Sequence, residues 1–157
     1  EVSKYVLNED GTPRVFYHGT REKFTEFDKS KIGSNTDDGV YGKGFYFSSY
    51  RKQSEQYGEL MPCYLALKNP LVLSNYQSIA ELADALDMSE SNFSESGGII
   101  KPRYSFVSQF TSHVKSAGFD GVIVCIRVMP AERVASTRSS RSTCSRKLSI
   151  YICILNI

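Results

Sequence analysis

Apolar and polar residues alternate in the first half of the chain in the way that β-strands require. The segment KYVLNEDGTPRVFYHGT (4–20) carries two apolar alternations around Asn8–Gly11, whose residues tolerate turn conformations. It predicts two strands joined by a turn, with His18 at the end of the second strand. The polar segment 21–39 predicts a short helix or turn and then a loop. The aromatic run GFYFSS (44–49) that follows predicts a short strand.

Three later segments have the spacing of helices. The segment SYRKQSEQYG (49–58) predicts a helix with Ser48 or Ser49 as its N-cap and an end near Gly58. SIAELADALDM (78–88) has apolar residues three and four positions apart, which predicts a helix with one buried face. RYSFVSQFTSHVKSAG (103–118) repeats this pattern and ends at Gly118, a natural helix stop.

The remaining segments complete the prediction of one α+β domain. MPCYLALKNPLVL (61–73) predicts two strand pieces interrupted at Asn69–Pro70, and FDGVIVCI (119–126) predicts a buried strand. SESNFSESGG (89–98) is expected to be a loop. The chain has 157 residues and 41% hydrophobic side chains, which is enough to form one hydrophobic core, whereas two domains would be crowded.

The charge is unevenly distributed. A formal net charge of +2 argues against a dedicated nucleic-acid binder, which usually shows a clear basic excess. Residues 1–130 carry a net charge of −2, whereas residues 131–157 hold five basic residues and one acid. We therefore predict a domain over residues 1–130 and an atypical basic tail, rich in Ser and Arg, over residues 131–157.

The cysteines and the lengths of the apolar runs indicate the cellular compartment in which the protein acts. Cys63, Cys125, Cys144 and Cys153 form no CxxC pair and have no nearby His cluster, so neither a zinc site nor a disulfide framework is predicted. A reducing cytoplasm fits this usage. No apolar run approaches the length of a transmembrane helix, and the first residues lack a starting Met and a signal-peptide pattern. We expect the chain to begin inside a larger protein or to be an engineered fragment.

Tyr46, Ser54 and Tyr57 have a spacing that can build a slot for a flat ring. Ser54 and Tyr57 follow Tyr46 by eight and eleven residues, so a strand, a turn and a helix can return Tyr57 against Tyr46. Two facing rings suit a heteroaromatic ligand, and a hydroxyl with glycine backbone groups suits a carboxamide, as in nicotinamide. The alternative is that these are ordinary core aromatics and that His18 is a turn residue with a local hydrogen bond.

Two blocks together resemble a known family. FYHGT (16–20) and YGKGFYFSSYRKQSEQY (41–57) resemble the N-terminal signatures of ADP-ribosyltransferases of the diphtheria-toxin-like and poly(ADP-ribose) polymerase clade. YLALKNPLVL (64–73) and AGFDGVIV (117–124) resemble segments of the transferases embedded in bacterial and phage polyvalent proteins. The resemblance implies an α+β split β-sheet with flanking helices around an NAD cleft.

The implied activity is mono-ADP-ribosyl transfer from NAD to an acceptor, most simply a protein, with release of nicotinamide. An NAD glycohydrolase, or an impaired module that binds NAD or ADP-ribose, is the alternative. We expect no metal and no membrane partner, because the sequence shows neither a zinc-binding pattern nor an apolar run long enough to cross a membrane. It implies action in the cytoplasm, or in a host cytoplasm after delivery as part of a larger protein.

The resemblance assigns seven residues to the NAD site, namely His18, Gly19, Thr20, Gly44, Tyr46, Ser54 and Tyr57. His18 would bind a ribose hydroxyl, and the Gly19 backbone would bind the carboxamide with help from Ser54. Tyr46 and Tyr57 would sandwich the ring, and Gly44 would keep the wall of the cleft close to the ligand. His18 and Tyr46 are also the implied catalytic residues.

The family adds a carboxylate that stabilises the oxocarbenium charge on the ribose. After GFDGVIV the sequence offers Glu132, for which a surface position in a loop is the alternative. The change in composition suggests a frameshift over residues 132–148. If the codons for these residues are chosen freely, reading them from each third base can give an apolar strand that carries a Glu. A frameshifted chain would keep the NAD-binding half and lack the acid. A second interpretation of the tail is a basic extension that touches nucleic-acid phosphate, although its arginines lack interleaved aromatics.

Overall fold

The computed structural model of the chain describes residues 1–31, 39–126 and 149–154. Within these ranges the chain forms three α-helices, α1 (Arg51–Glu55), α2 (Ile79–Ala85) and α3 (Val107–Ser116). The same ranges contain eight strands, β1 (Phe16–Thr20), β2 (Phe45–Ser48), β3 (Glu59–Cys63), β4 (Pro70–Val72), β5 (Phe93–Ser96), β6 (Ile99–Pro102), β7 (Gly121–Ile126) and β8 (Ser149–Ile154).

Six of the strands form one mixed sheet in the order β3-β1-β2-β8-β7-β4. The β4–β7 pair is parallel, and the other neighbours in this sheet are antiparallel. The strands β5 and β6 form a separate two-stranded hairpin. A mixed sheet with a few helices confirms the predicted α+β class.

The sheet is buried on both faces in its centre. Along β7, Val122 and Val124 belong to the cluster that packs against α2, α3 and the hairpin, whereas Ile123 belongs to the cluster on the opposite face. All three side chains are at most 4% exposed. Because successive residues of a strand point to opposite faces, a strand that is covered on both sides has to be apolar throughout. This explains the continuous apolar run of FDGVIVCI.

The strand β8 comes from the segment that the sequence analysis set apart as a tail. It lies between β2 and β7, with Phe45 opposite Ile154 and Val122 opposite Cys153. Ile150 and Ile152 are fully buried. No strand was predicted here, because the basic and Ser-rich composition of residues 131–157 hides the apolar alternation near their end. The predicted boundary at residue 130 stays a prediction, since residues 127–148 lie outside the described ranges.

The prediction of two strands at the N-terminus was wrong for the first of them. Lys4–Val6 form a single 3-10 turn, and the only extended pairing here, within the described residues, is an isolated bridge between Leu7 and Pro13. Proline has no N–H to donate to a ladder, so Pro13 weakens backbone pairing at this point. His18 is the middle residue of β1 and not its end.

The segment predicted as a loop at residues 89–98 contains most of a β-hairpin. Ser96 pairs with Ile99 across Gly97 and Gly98, which have φ angles of 58° and 78°. A two-residue turn between strands needs positive φ at both positions, and glycine adopts it at low cost. The Gly97–Gly98 pair, which comes directly before the apolar residues Ile99 and Ile100, was therefore the available local signal for a hairpin.

The helix α1 was predicted correctly, but its N-cap was not. Tyr50 is the N-cap residue and makes no side-chain capping bond. The Ser48 hydroxyl accepts a hydrogen bond from the Tyr50 N–H, and the Ser49 hydroxyl accepts one from the N–H of Ile150. The two serines therefore join the helix start to the preceding strand and to β8.

The cysteines differ among themselves. Cys63 and Cys153 are free thiols, whereas Cys125 is disulfide-bonded, which no sequence pattern had indicated.

Within residues 1–31, 39–126 and 149–154, no group of three or more His, Cys, Asp or Glu side chains is arranged to hold a metal ion. None of the helices described is both long enough and apolar enough to cross a bilayer.

The position of β8 predicts that residues near the C-terminus contribute to the stability of the whole domain. Replacing Ile152 by Ala removes a fully buried side chain from the sheet centre, so we expect a loss of about 2–5 kcal/mol in the free energy of unfolding. Urea denaturation measures this change in the free energy of unfolding. The matched control is Val15→Ala, a side chain that is 37% exposed, for which we expect a change within about 0.5 kcal/mol. Equal stability of the two variants would show that β8 is not part of the cooperative core.

Candidate functional site

The candidate site is a cleft at the point where β1 and β2 separate. The pairing between these strands consists of Tyr17 opposite Ser48, whereas all five residues of β1 pair with β3. If the register continued, Gly19 would lie opposite Tyr46, but the strands have diverged there. A cleft of about 950 Å³ occupies this region, a size typical of small-molecule sites.

The cleft is lined by all seven residues that the sequence analysis assigned to the NAD site: His18, Gly19, Thr20, Gly44, Tyr46, Ser54 and Tyr57. They come from β1, from β2 and the residue before it, and from α1 and the turn after it. Glu132, the eighth predicted site residue, lies outside the described residues. The structure thus brings the seven together, and their roles stay predictions.

His18 is held in a defined orientation and tautomer. Its Nδ1 lies 2.8 Å from the carbonyl oxygen of Tyr46. A carbonyl can only accept, so Nδ1 carries the proton, and Nε2 of the neutral ring remains an acceptor. Burial lowers the pKa of His18, although the bond to Tyr46 opposes this shift. The rings of Phe27 and Phe47 lie 5.2 and 5.4 Å from the imidazole. The environment therefore favours the neutral ring, which can accept a hydrogen bond from a ligand hydroxyl.

Gly19 allows α1 to cross β1 at close range. A Cβ at this position would overlap with the carbonyl oxygen of Ser54 and approach the Cβ of Tyr57 to 3.0 Å. The hydroxyl of Ser54 donates to the carbonyl of Tyr17 at 2.8 Å. Because a hydroxyl has one proton, Ser54 offers a ligand only its lone pairs unless the hydroxyl rotates. Tyr57 is half exposed and presents its ring to the cleft.

Tyr46 organises the loop that precedes β2. Its hydroxyl accepts a hydrogen bond from the N–H of Tyr41 at 3.2 Å and donates one to the carbonyl of Gly42. Gly39 lies against the hydroxyl end of the ring, where a Cβ would overlap with it. Burial raises the pKa of Tyr46, and the neighbouring Cys153 adds to this effect. The hydroxyl is thus a neutral structural anchor for the loop.

Gly44 and Thr20 line the cleft but also have local structural reasons for their identity. A Cβ on Gly44 would come within 2.6 Å of the Cys153 Sγ and of the Ile154 carbonyl oxygen, so glycine is needed here for contact with β8. The Thr20 hydroxyl donates to the carbonyl of Glu22 at 3.0 Å and accepts from its N–H, which closes a turn after β1. The ligand-binding roles expected of these two residues stay predictions.

Tyr151 lines the cleft from β8 and was not among the residues predicted from the sequence. Its ring centroid lies 5.4 Å from that of Tyr46, with 30° between the ring planes. The available signal was the alternation in SIYICI, in which buried Ile150 and Ile152 point to one face and Tyr151 to the other.

Two further parts of the cleft lining, one charged and one apolar, were not predicted from the sequence. Five charged residues between positions 21 and 31 line one part of it: Arg21, Glu22, Glu26, Asp28 and Lys31. Lys31 and Glu22 form an exposed ion pair with a separation of 3.7 Å. Val40 and Tyr104, which are 50% and 75% exposed, line another part. The cleft can therefore contact both charged and apolar groups of a ligand.

The environment of His18 predicts a low pKa for its ring. We expect the midpoint of its titration to lie below the ordinary value of 6.5, because burial disfavours the imidazolium. The stability that neutral His18 contributes should be complete above about pH 6.5 and decline as the pH falls towards the folded-state pKa. NMR titration of the two histidines, assigned with a His18→Gln variant, measures the midpoint. A midpoint at or above 6.5 would contradict the buried neutral tautomer.

Comparison with known protein families gives a match over most of the chain. The family model described as ADP-ribosyltransferase in polyvalent proteins matches residues 8–138, which is 131 of the 157 residues. The matched range contains both sequence blocks that line the cleft. No curated protein and no solved structure matches the chain. Because the family match covers most of its length, the chain belongs to the family of ADP-ribosyltransferases found in polyvalent proteins.

Proposed function

We propose that this protein uses NAD as its substrate and transfers a single ADP-ribose unit to an acceptor, in the first instance a protein. The observation that carries the proposal is that all seven described residues assigned to the NAD site line one cleft. Membership of an ADP-ribosyltransferase family supports the same reaction class.

The nicotinamide group fits the end of the cleft formed by Gly19, Ser54 and Tyr57. Backbone groups of Gly19 line the cleft where β1 has separated from β2, and the missing Cβ lets the α1 backbone lie directly beside them. The Ser54 oxygen can accept a hydrogen bond from the amide of a carboxamide while its own hydroxyl proton stays hydrogen-bonded to the backbone carbonyl of Tyr17. The exposed ring of Tyr57 offers a surface on which the pyridinium ring can stack. These contacts hold the leaving group in place.

His18 is suited to hold the ribose next to the nicotinamide. Its Nδ1 proton is committed to the carbonyl of Tyr46, so Nε2 can accept a hydrogen bond from a ribose hydroxyl. In the reaction the bond between C1′ of the ribose and the pyridinium nitrogen breaks, and that nitrogen keeps the electron pair. The acceptor nucleophile then bonds to C1′ and releases its proton. A fixed ribose keeps C1′ aligned between leaving group and acceptor.

The positive charge that develops on the ribose calls for a carboxylate nearby. The carboxylates that line the described part of the cleft, Glu22, Glu26 and Asp28, are exposed to solvent, where their stabilising effect is screened. We therefore keep Glu132 as the proposed catalytic acid, outside the described residues.

The same exposure of the three carboxylates favours a second candidate, a module that binds NAD without efficient turnover. A glycohydrolase that transfers ADP-ribose to water would use the same cleft. Titration with NAD, an assay for free nicotinamide and incorporation of labelled ADP-ribose separate the three. Nicotinamide release with labelling supports transfer, release without labelling supports hydrolysis, and binding without release supports the module.

Removing the His18 side chain tests its role in NAD binding. We expect His18→Ala to weaken NAD binding about tenfold, which is the loss of one hydrogen bond of about 1.4 kcal/mol. Isothermal titration calorimetry measures the change. His113 is the matched control, because its Nδ1 also lies near a backbone carbonyl, that of Leu86 at 2.7 Å, but in α3 and away from the cleft lining. An equal effect of His113→Ala would show that the loss is general and not local.

Neutralising Glu132 tests the proposed catalytic acid. If Glu132 stabilises the ribosyl cation, Glu132→Gln should lower the rate of nicotinamide release about 100- to 1,000-fold while NAD affinity changes little. The exposed Glu90, in a turn outside the cleft lining, provides the control variant Glu90→Gln. Unchanged turnover in Glu132→Gln would remove Glu132 from the mechanism and leave the binding assignment standing.

A further inference from the structure

Exposed apolar side chains are concentrated at the cleft. Five large apolar or aromatic side chains are exposed among the residues that the structure describes: Val15, Val40, Tyr57, Tyr64 and Tyr104. Three of the five, Val40, Tyr57 and Tyr104, line the cleft. Single exposed apolar residues are normal on a protein surface, whereas several at one cleft mark a surface that binds another molecule. The proposed NAD site uses Tyr57 and leaves Val40 and Tyr104 without a role.

Val40 and Tyr104, here called the apolar rim, are held by one packed unit. The loop that contains Val40 rests on α3, because a Cβ on Gly42 would overlap with the Thr111 hydroxyl and lie 3.6 Å from the Val107 side chain. Tyr104 precedes Val107 by three residues and Thr111 by seven. It therefore continues the side of α3 on which the loop rests. The rim is thus built from the loop before β2 and the start of α3.

The apolar rim and α1 lie on one face of the sheet but over opposite halves of it. Tyr17, Ser48, Tyr151 and Val124 stand opposite one another on β1, β2, β8 and β7, so their side chains share this face. On this face α1 packs over β1, β2 and β3, whereas α3 packs in the cluster that contains Val124. The cleft is lined from α1 on one side and by Tyr104, just before α3, on the other.

This arrangement decides which side of the cleft is open to an acceptor. The nicotinamide group fits the end formed by Gly19, Ser54 and Tyr57, which is the α1 side. An acceptor nucleophile has to approach C1′ of the ribose from the side away from the departing group. That side is the one on which the apolar rim lies.

The charges of the cleft favour a polypeptide over a nucleic acid as the acceptor. A nucleic acid brings a phosphate with every nucleotide and calls for an excess of basic residues. The described part of the lining has three acidic and two basic residues instead: Glu22, Glu26, Asp28, Arg21 and Lys31. Arg103 is next to Tyr104, but its Nε donates to the carbonyl of Ser91 at 3.0 Å, and it does not line the cleft.

We propose that Val40 and Tyr104 bind the acceptor, and that this acceptor is a polypeptide with an apolar side chain next to the residue that is modified. The inference rests on the proposed transfer from NAD and names the class of its substrate. An exposed tyrosine suits this role, because its ring offers an apolar surface and its hydroxyl stays in water. The loop before β2 and the start of α3 therefore set acceptor specificity, while β1, β2 and α1 hold NAD.

The first test measures transfer of labelled ADP-ribose from NAD to two pools of short synthetic peptides. The pools contain all residues at their variable positions and differ at one central position, which is Phe in one pool and Ser in the other. We expect the Phe pool to be labelled about tenfold more, because burying its side chain against the rim strengthens binding. In Tyr104→Ser this preference should fall below about threefold, while the NAD affinity measured by calorimetry stays within about twofold.

The matched control for Tyr104→Ser is Tyr64→Ser. Tyr64 is 69% exposed and lies outside the cleft lining, and Tyr104 is 75% exposed. Neither substitution removes a buried side chain, so thermal unfolding of both variants should match that of the unaltered chain. Tyr64→Ser should keep the preference for the Phe pool.

The second test needs no turnover. The methyl NMR signals of Val40, assigned with Val40→Ala, are followed in the presence of NAD while a blocked glycine peptide with a central Phe is added. We expect these signals to shift, because the aromatic ring lies beside the methyl groups. The same peptide with a central Ser should leave them in place, and Tyr104→Ser should weaken the response to the Phe peptide. An oligothymidylate serves as the nucleic-acid probe.

The outcomes separate this inference from the function on which it rests. Equal labelling of the two pools, or a preference that Tyr104→Ser leaves intact, overturns the inference while transfer from NAD stands. Movement of the Val40 signals by the oligothymidylate and not by the Phe peptide overturns it in favour of a nucleic-acid acceptor. If the chain binds NAD without turnover, the Val40 signals decide. Absence of NAD binding by the unaltered chain overturns the proposed function, and the inference with it.

Discussion

The hydrogen bond from the His18 imidazole to the carbonyl of Tyr46 is the contact on which the candidate site depends. It spans the gap between β1 and β2 just beyond Tyr17 and Ser48, where their backbone pairing ends. It thereby ties the two strands together without closing the cleft between them. The same bond fixes the tautomer of the ring and leaves Nε2 as an acceptor. Burial lowers the pKa of the imidazole and keeps it neutral. This one hydrogen bond therefore determines both how β1 and β2 are held at the cleft and which nitrogen of the imidazole can accept a hydrogen bond.

The strand β8 supports the other side of the cleft. It pairs along β2 and along β7, and its Cys153 and Ile154 leave no room for a Cβ on Gly44. Its Tyr151 packs on Tyr46, whose hydroxyl anchors the loop before β2. A substitution in β8 would therefore reach the cleft through direct contacts and not only through loss of stability. The strand β8 therefore belongs both to the core of the sheet and to the lining of the cleft.

Much of the site could be predicted from local sequence. The offsets from Tyr46 to Ser54 and Tyr57 placed these residues on one helix and turn, and the glycine after His18 indicated a close approach. These features depend on residues within about three helical turns of one another, where periodicity is informative. The hairpin at Phe93–Pro102 had a local signal too, in Gly97 and Gly98, and was missed because its polar flanks resemble a loop. The surroundings of Tyr46 could not be predicted in this way, because spacing along the chain does not show which side chains cover its ring.

The sequence by itself determined the α+β class, the helices α1 to α3, the strands β2 and β7 and the choice of seven residues between positions 18 and 57 that line one cleft. Only the tertiary structure decided that β8 enters the centre of the sheet and that Tyr151 stands beside Tyr46. The physical reason is the distance along the chain. Ser48 and Tyr151 pair although about a hundred residues separate them, and such pairing is chosen by which strands can bury each other's apolar faces. A pattern within one segment predicts the face that is buried, but the partner that buries it belongs to the fold.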